Sequence, residues 1–140
     1  MKKFFSLFVA LVALFTLSST EQAMASEEPT TTESNQRIIF SSYYTGTIGD
    51  NLHITMYLGR WSTGVYAGWY YYNKYGSDNM LELVGEKAAD GLVTLYEYNA
   101  DDQLTGRFEG TFNRNGEFIG TMYVVHTGKR HSFRLYPTNF

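Results

Sequence analysis

The sequence predicts an all-β fold of eight short antiparallel strands, arranged as a meander that closes into a small barrel. Apolar residues recur with a period of two from residue 38 onward, turn-forming residues interrupt them at short intervals, and no helical stripe is sustained. A barrel is expected because closure removes the exposed edges of the sheet, and a two-sheet β-sandwich is the alternative.

The N-terminal residues 1–25 have the three parts of a secretory signal peptide. Lys2 and Lys3 supply positive charge, residues 4–17 are almost entirely apolar, and Ala23-Met24-Ala25 is a small-x-small cleavage site. The apolar run is shorter than the roughly 20 residues of a membrane-spanning helix. We therefore expect a periplasmic or secreted protein, with no stable membrane insertion after cleavage.

Residues 26–37 are predicted to form a disordered polar tether, because they hold no large apolar side chain to bury. The remaining residues, 38–140, are predicted to form a single barrel-like domain. Removing Lys2, Lys3 and Glu21 from the eleven basic and fourteen acidic residues leaves a net charge of −4. That balance argues against nucleic acid as a partner, which requires a basic face.

The strands follow from the alternation and from the turns between them. The first strand contains Tyr-x-Gly-x-Ile, and the second has four apolar residues at alternate positions. The third strand holds the aromatic run that begins after Gly64, and the fourth contains Leu-x-Leu-x-Gly. In the sixth strand, Gly and Phe alternate with polar residues, and in the seventh Phe118, Gly120, Met122 and Val124 form one alternating set. Short connections make consecutive strands antiparallel neighbours. The predicted bounds are 41–48, 52–59, 64–73, 79–86, 92–99, 104–112, 117–125 and 131–136.

The hairpin between Gly64 and Gly85 carries a resemblance. This hairpin resembles those of small exported bacterial proteins of unknown function. The resemblance lies in the segments Gly-x-Tyr-Tyr-Tyr, Lys-x-Gly and Leu-x-Leu-x-Gly, and in the Tyr-x-Gly-x-Ile segment at residues 44–48 that precedes them. Residues 104–108 are locally similar to a strand of avidin-type barrels, and residues 110–120 to one MORN-type unit. The resemblance implies export and an all-β fold, and it implies no activity.

The third strand holds the sharpest binding candidates. Alternation places Tyr66, Tyr70 and Tyr72 on one face and Trp69 and Tyr71 on the other. The interpretation is that the Trp69 face is buried and the three tyrosines form an exposed ladder, unless the faces are reversed. Exposed Tyr and Trp are enriched at binding surfaces, but cross-strand aromatic pairs also stabilise hairpins.

Glu97 is the remaining candidate. It faces inward if Val93 and Leu95 do, and outward if Tyr96 faces inward. An inward carboxylate at a barrel mouth would orient a ligand. The candidate ligand-binding residues are therefore Tyr66, Trp69, Tyr70, Tyr72 and Glu97.

The residue types present make catalysis and metal binding poor expectations. Cysteine is absent, and the histidines lack the spacing of metal ligands. Asp101-Asp102 is interpreted as a turn, so neither a metal nor a cofactor is expected. Glu82 and Glu97 are a conceivable glycosidase pair, but the loops are too short to support an active site well.

These observations favour an exported, non-catalytic domain that binds a small ligand, glycan or peptide through an aromatic surface or the barrel mouth. The alternative is a protein-interaction or inhibitor domain acting on another envelope protein. A hydrolase and a small outer-membrane barrel, the latter suggested by the strand number and the terminal Phe140, are further alternatives.

Overall fold

The computed structural model describes residues 36–139, which form an eight-stranded antiparallel barrel. Each strand pairs with its neighbours in sequence, and the first strand also pairs with the last, so the sheet is closed. The predicted meander and barrel are confirmed. The predicted signal peptide and nearly all of the tether lie outside the described residues. The strands are β1 Ile38–Ile48, β2 Leu52–Trp61, β3 Val65–Tyr72, β4 Leu81–Lys87, β5 Val93–Tyr98, β6 Leu104–Phe112, β7 Phe118–Val124 and β8 Arg130–Thr138.

The terminal strands are longer than predicted at the end of the barrel where the chain begins and finishes. β1 starts at Ile38, and the preceding Arg37 carbonyl accepts a hydrogen bond of 2.9 Å from the Ser62 amide. β8 continues through Pro137, which lies opposite Tyr44 in the ladder with β1. Proline lacks only the amide donor, so the end of a strand accommodates it. Two short 3₁₀ turns, Asn73–Tyr75 and Ser77–Asn79, connect β3 to β4.

The interior of the barrel is filled by apolar side chains. Eight strands enclose a space just wide enough for side chains. The Phe118 ring lies 4.7 Å from that of Phe112 and 4.9 Å from that of Phe133, between ring centroids, and Phe133 lies 5.2 Å from Phe108. The buried apolar residues are Tyr44, Ile48, Ile54, Met56, Leu58, Tyr66, Tyr70, Leu83, Val93, Leu95, Phe108, Phe118, Met122, Phe133 and Leu135.

Two turns share one geometry but place different residues at the position with positive φ. In each, an asparagine side-chain oxygen accepts hydrogen bonds from amides two and four residues later, in Asn99–Gln103 and in Asn113–Glu117. The second turn has Gly116 at φ +76°, whereas the first has Asp102 at φ +59°. Asp is one of the few residues other than Gly that adopt this left-handed conformation. The Asn99 turn thus places an acidic side chain where glycine is usual.

Gly68 lets β2 and β3 approach closely. A Cβ atom at Gly68 would lie 1.9 Å from the Tyr57 carbonyl oxygen, whereas one at Gly59 would make ordinary contacts of 3.7 Å. The backbone of a paired strand cannot move aside without disturbing its hydrogen bonds.

We therefore expect Gly68→Ala to lower the free energy of unfolding by about 3 kcal/mol, at the upper end of the cost of overpacking. Gly59→Ala, on the adjacent strand, is the matched control and should cost about 1 kcal/mol or less. Chemical denaturation followed by tryptophan fluorescence measures both. Equal midpoints for the two variants would contradict the close approach.

Candidate functional site

β3 divides its rings between the inside and the outside of the barrel. Tyr66 and Tyr70 are buried in the core, and Tyr72 is half-buried against it. Trp69 and Tyr71 lie on the outer side and are partly exposed. The interpretation of an exposed tyrosine ladder over a buried Trp69 is wrong, because the faces are reversed. Both faces carry large rings, so the period of two left the orientation open.

Glu97 lies inside the barrel together with Val93 and Leu95. It is only 4% exposed. The Tyr70 hydroxyl donates a hydrogen bond to Oε2, and the Thr105 hydroxyl donates one of 2.6 Å to Oε1. Both carboxylate oxygens thus have a donor within the fold, as buried charged groups require. Glu97 therefore acts as an acceptor that anchors Tyr70 and Thr105.

Several inward tyrosines resist ionisation. Burial raises the pKa of Tyr70 well above its usual value of 10, and the charge of Glu97 acts in the same direction. Burial also raises the pKa of Tyr72, and it raises that of Tyr44 to about 12. These hydroxyls keep their protons in the folded state at a pH where an unfolded chain would lose them.

This difference predicts alkaline destabilisation. Folded-state pKa values above the unfolded value give stability that is complete below about pH 10. It is then lost as the pH rises toward about 12, the folded pKa of Tyr44. We expect the free energy of unfolding to be flat from pH 8 to about 9.5 and to fall steeply above it. Tyrosinate absorbance and denaturant titrations measure the two effects together.

Tyr44→Phe is the variant that isolates one contribution, and it should make the alkaline fall shallower. Tyr136→Phe is the control, because Tyr136 is 45% exposed on the outside of β8. A slope unchanged by Tyr44→Phe would contradict this assignment of the proton linkage.

Four aromatic residues form one cluster on the outside of the barrel, which we call the outer aromatic face: Tyr43, Tyr57, Trp69 and Tyr71. Tyr43, Tyr57 and Trp69 lie directly opposite one another across β1, β2 and β3. Ring centroids are 5.1 Å apart for Tyr43 and Tyr57, 5.8 Å for Tyr57 and Trp69, and 6.1 Å for Trp69 and Tyr71. Of the five predicted site residues, only Trp69 belongs to this face.

Glu82 continues the same row onto β4. It lies opposite Trp69 on one side and Tyr98 on the other, so it points to the outside of the barrel. It is nevertheless only 7% exposed. Among residues 36–139 no hydrogen-bond donor or cation pairs with its carboxyl group. Burial raises the pKa of Glu82, and the charge of Asp102 adds to the effect.

Glu82 and Glu97 do not form a pair. They lie on adjacent strands and point to opposite sides of the sheet, one outward and one into the core. Glu82 was not predicted as a ligand-binding residue, because the alternation in β4 indicates an ordinary, solvent-exposed carboxylate. Its burial comes from the large side chains of neighbouring strands.

Glu82 should therefore cost stability at neutral pH. A raised folded pKa gives a contribution that is present below the unfolded value and is lost as the pH rises through the folded value. We expect Glu82→Gln to increase the free energy of unfolding at pH 7 and to give no gain near pH 4. Denaturation at both pH values measures this, with the exposed Glu86→Gln on the same strand as control. A gain from Glu82→Gln that is equal at both pH values would contradict the argument.

Charge is divided unevenly around the barrel. Residues 36–103, which include β1–β5, contain eight acidic and four basic residues, and residues 104–139 contain two acidic and five basic residues. On the basic side, Arg107 and Arg130 lie over the Tyr123 ring, at 4.5 and 5.2 Å from its centroid. Arg107 also forms an ion pair of 2.8 Å with Glu109, two residues along the same strand.

A shallow cleft of about 140 Å³ lies at the end of the barrel near Tyr72, lined by Asn51, Leu52, His53, Tyr72, Asn73 and Lys74. Pockets for small-molecule ligands are usually about 300 Å³ or larger. The cleft is thus too small to hold such a ligand. Among the described residues, no group of three or more acidic or histidine side chains is placed to hold a metal ion.

Comparison with protein-family models, with curated proteins and with solved structures found no match. Within residues 36–139, no helix is long and apolar enough to cross a membrane.

Proposed function

We propose that the protein is an exported, non-catalytic binding module that contacts a basic segment of another exported protein through the outer aromatic face. The observation that carries the proposal is the cluster of Tyr43, Tyr57, Trp69 and Tyr71 on the outside of a closed barrel. A filled core does not require such rings outside it. Tyr and Trp are enriched at the energetically dominant positions of protein interfaces.

The filled interior directs the proposal to the outer surface. Rings and aliphatic side chains occupy the space inside the barrel, and the donors that Glu97 needs are already supplied by Tyr70 and Thr105. A ligand in the interior would have to displace packed side chains. Binding on the outside requires no such change.

The surrounding charge favours a basic polypeptide over a neutral glycan. The outer aromatic face belongs to the part of the chain with an excess of acidic residues, and the row of rings leads to Glu82. Lys and Arg side chains gain from both aromatic faces and carboxylates. Closure of the barrel leaves no strand edge, so recognition must occur through side chains rather than by strand addition.

The pattern of charge also favours a module surrounded by water over an outer-membrane barrel. Membrane barrels have an apolar outer band and a polar interior. Here the interior is mainly apolar, with the Glu97 carboxylate hydrogen-bonded to Tyr70 and Thr105, and the outside of β6 and β8 carries Arg107, Glu109 and Arg134. The export part of the proposal depends on residues 1–25 of the sequence.

Nuclear magnetic resonance of the two tryptophan indole groups tests the proposal. A short peptide of alternating lysine and serine should shift the Trp69 resonance and leave that of Trp61, at the end of β2, in place. The matched glutamate–serine peptide and a neutral oligosaccharide should shift neither. Trp69→Ala should abolish peptide binding, whereas Tyr136→Ala on the basic side should retain it.

Two results would overturn the proposal. One is a Trp69 resonance that responds to the oligosaccharide and not to the basic peptide, which would make the surface a glycan site. The other is unchanged peptide affinity in Trp69→Ala, with a circular dichroism spectrum showing that the variant is folded.

A further inference from the structure

We infer that Glu82, together with Trp69, Tyr98 and Asp102, forms a subsite for a single ammonium or guanidinium group. The inference depends on the proposed function in one respect: it names the chemical group of the partner that the outer aromatic face would hold. Its location is specific, at the end of the row of rings where β3, β4 and β5 lie side by side.

Among the described residues, the Glu82 carboxyl group has no hydrogen-bond or ion-pair partner. Glutamate is seldom buried to this degree without a partner, because even partial removal of a carboxylate from water is costly. Glu82 is 7% exposed, and within residues 36–139 neither a donor nor a cation pairs with it. Its carboxylate oxygens are not among the fully enclosed polar atoms that lack a partner, so a cation can reach them from outside. A bound cation would supply the missing pair.

The comparison with Glu97 shows that the absence is particular to Glu82. Glu97 is buried to a similar degree on the next strand, and it accepts hydrogen bonds from Tyr70 and Thr105. The fold therefore provides hydrogen-bond donors for Glu97, the carboxylate inside the barrel. Among the described residues it provides none for Glu82, the carboxylate that points to the outside.

The neighbouring side chains suit a cation. Trp69 and Tyr98 stand on either side of Glu82 in the ladder, and aromatic faces attract ammonium and guanidinium groups. Asp102 is exposed on the Asn99 turn, four residues after Tyr98, and its charge adds to the raised pKa of Glu82. A cation at Glu82 would relieve both the repulsion from Asp102 and the desolvation of the Glu82 carboxylate.

On the basic side of the barrel, an aromatic ring already has cations of the chain itself as partners. There the ring of Tyr123 is covered by Arg107 and Arg130 of the chain itself. Among the described residues, no Lys or Arg lies over the rings of Trp69 or Tyr98. This leaves the Glu82 subsite open to a cation from outside.

A pair of small probes tests the subsite directly. Nα-acetyl-lysine amide should shift the Trp69 indole resonance in a saturable titration, and Nα-acetyl-norleucine amide, which lacks the ammonium group, should not. Glu82→Gln should weaken binding of the lysine probe by about 10-fold or more, as expected for loss of a charged partner. Asp102→Asn should weaken it by a smaller factor.

The variants also exclude loss of folding as the cause. Glu82→Gln is expected to be more stable than the original chain at neutral pH, so weaker binding in it cannot come from unfolding. Glu86→Gln, outward and exposed on the same strand, is the matched control and should bind the lysine probe normally.

Three results decide the matter. Equal responses to the lysine and norleucine probes, or unchanged lysine affinity in Glu82→Gln, would overturn the subsite. If the lysine–serine peptide still binds the outer aromatic face of Glu82→Gln with its original affinity, the subsite is wrong and the proposed function stands. If the lysine probe binds at Glu82 while the peptide binds nowhere on that face, the subsite stands and the proposed function fails.

Discussion

The structure depends on filling the interior of an eight-stranded barrel without strain. Closure leaves room for side chains and little else, so each strand must present rings or aliphatic groups inward at the correct height. β3 meets this requirement with Tyr66 and Tyr70. Because side chains alternate along a strand, that choice places Trp69 and Tyr71 outside. The outward position of these two side chains is thus a consequence of how the core is packed, whereas their aromatic character is not.

The two buried carboxylates show how the same degree of burial has different consequences. Glu97 accepts two hydrogen bonds, and the resulting network ties β5 to β3 and β6. Glu82 has no such support among the described residues, and its raised pKa means that its ionised form opposes folding at neutral pH. A fold that satisfies one carboxylate and leaves its neighbour on the next strand unsatisfied has a localised source of instability. Such positions are common where a side chain is retained for binding.

Much of the fold could be predicted from the sequence, because strand number, antiparallel pairing and closure follow from a period of two and from short turns. The ends of β1 and β8 could not, since Ile38-Ile39-Phe40 does not alternate and Pro137 normally ends a strand. The orientation of β3 was also undetermined by its own residues. The neighbouring β4 held the missing information: Leu81 and Leu83 must face inward, and Trp69 lies opposite Glu82 between them. The register that connects the two strands is a property of the folded chain.

The candidate site was less predictable for a related reason. Tyr43, Tyr57 and Tyr98 belong to three different strands, and only the ladder brings them into one row with Trp69 and Glu82. No single segment of sequence contains this arrangement. Along this row, the rings of β1–β3 pack against one another, whereas the Glu82 carboxylate on β4 lacks a partner among the described residues. The chemistry of the row therefore changes along its length. A basic segment that extends along the row would place side chains over the rings of β1–β3 and one cationic group against the carboxylate on β4, and these two requirements together restrict the class of partner more than either does alone.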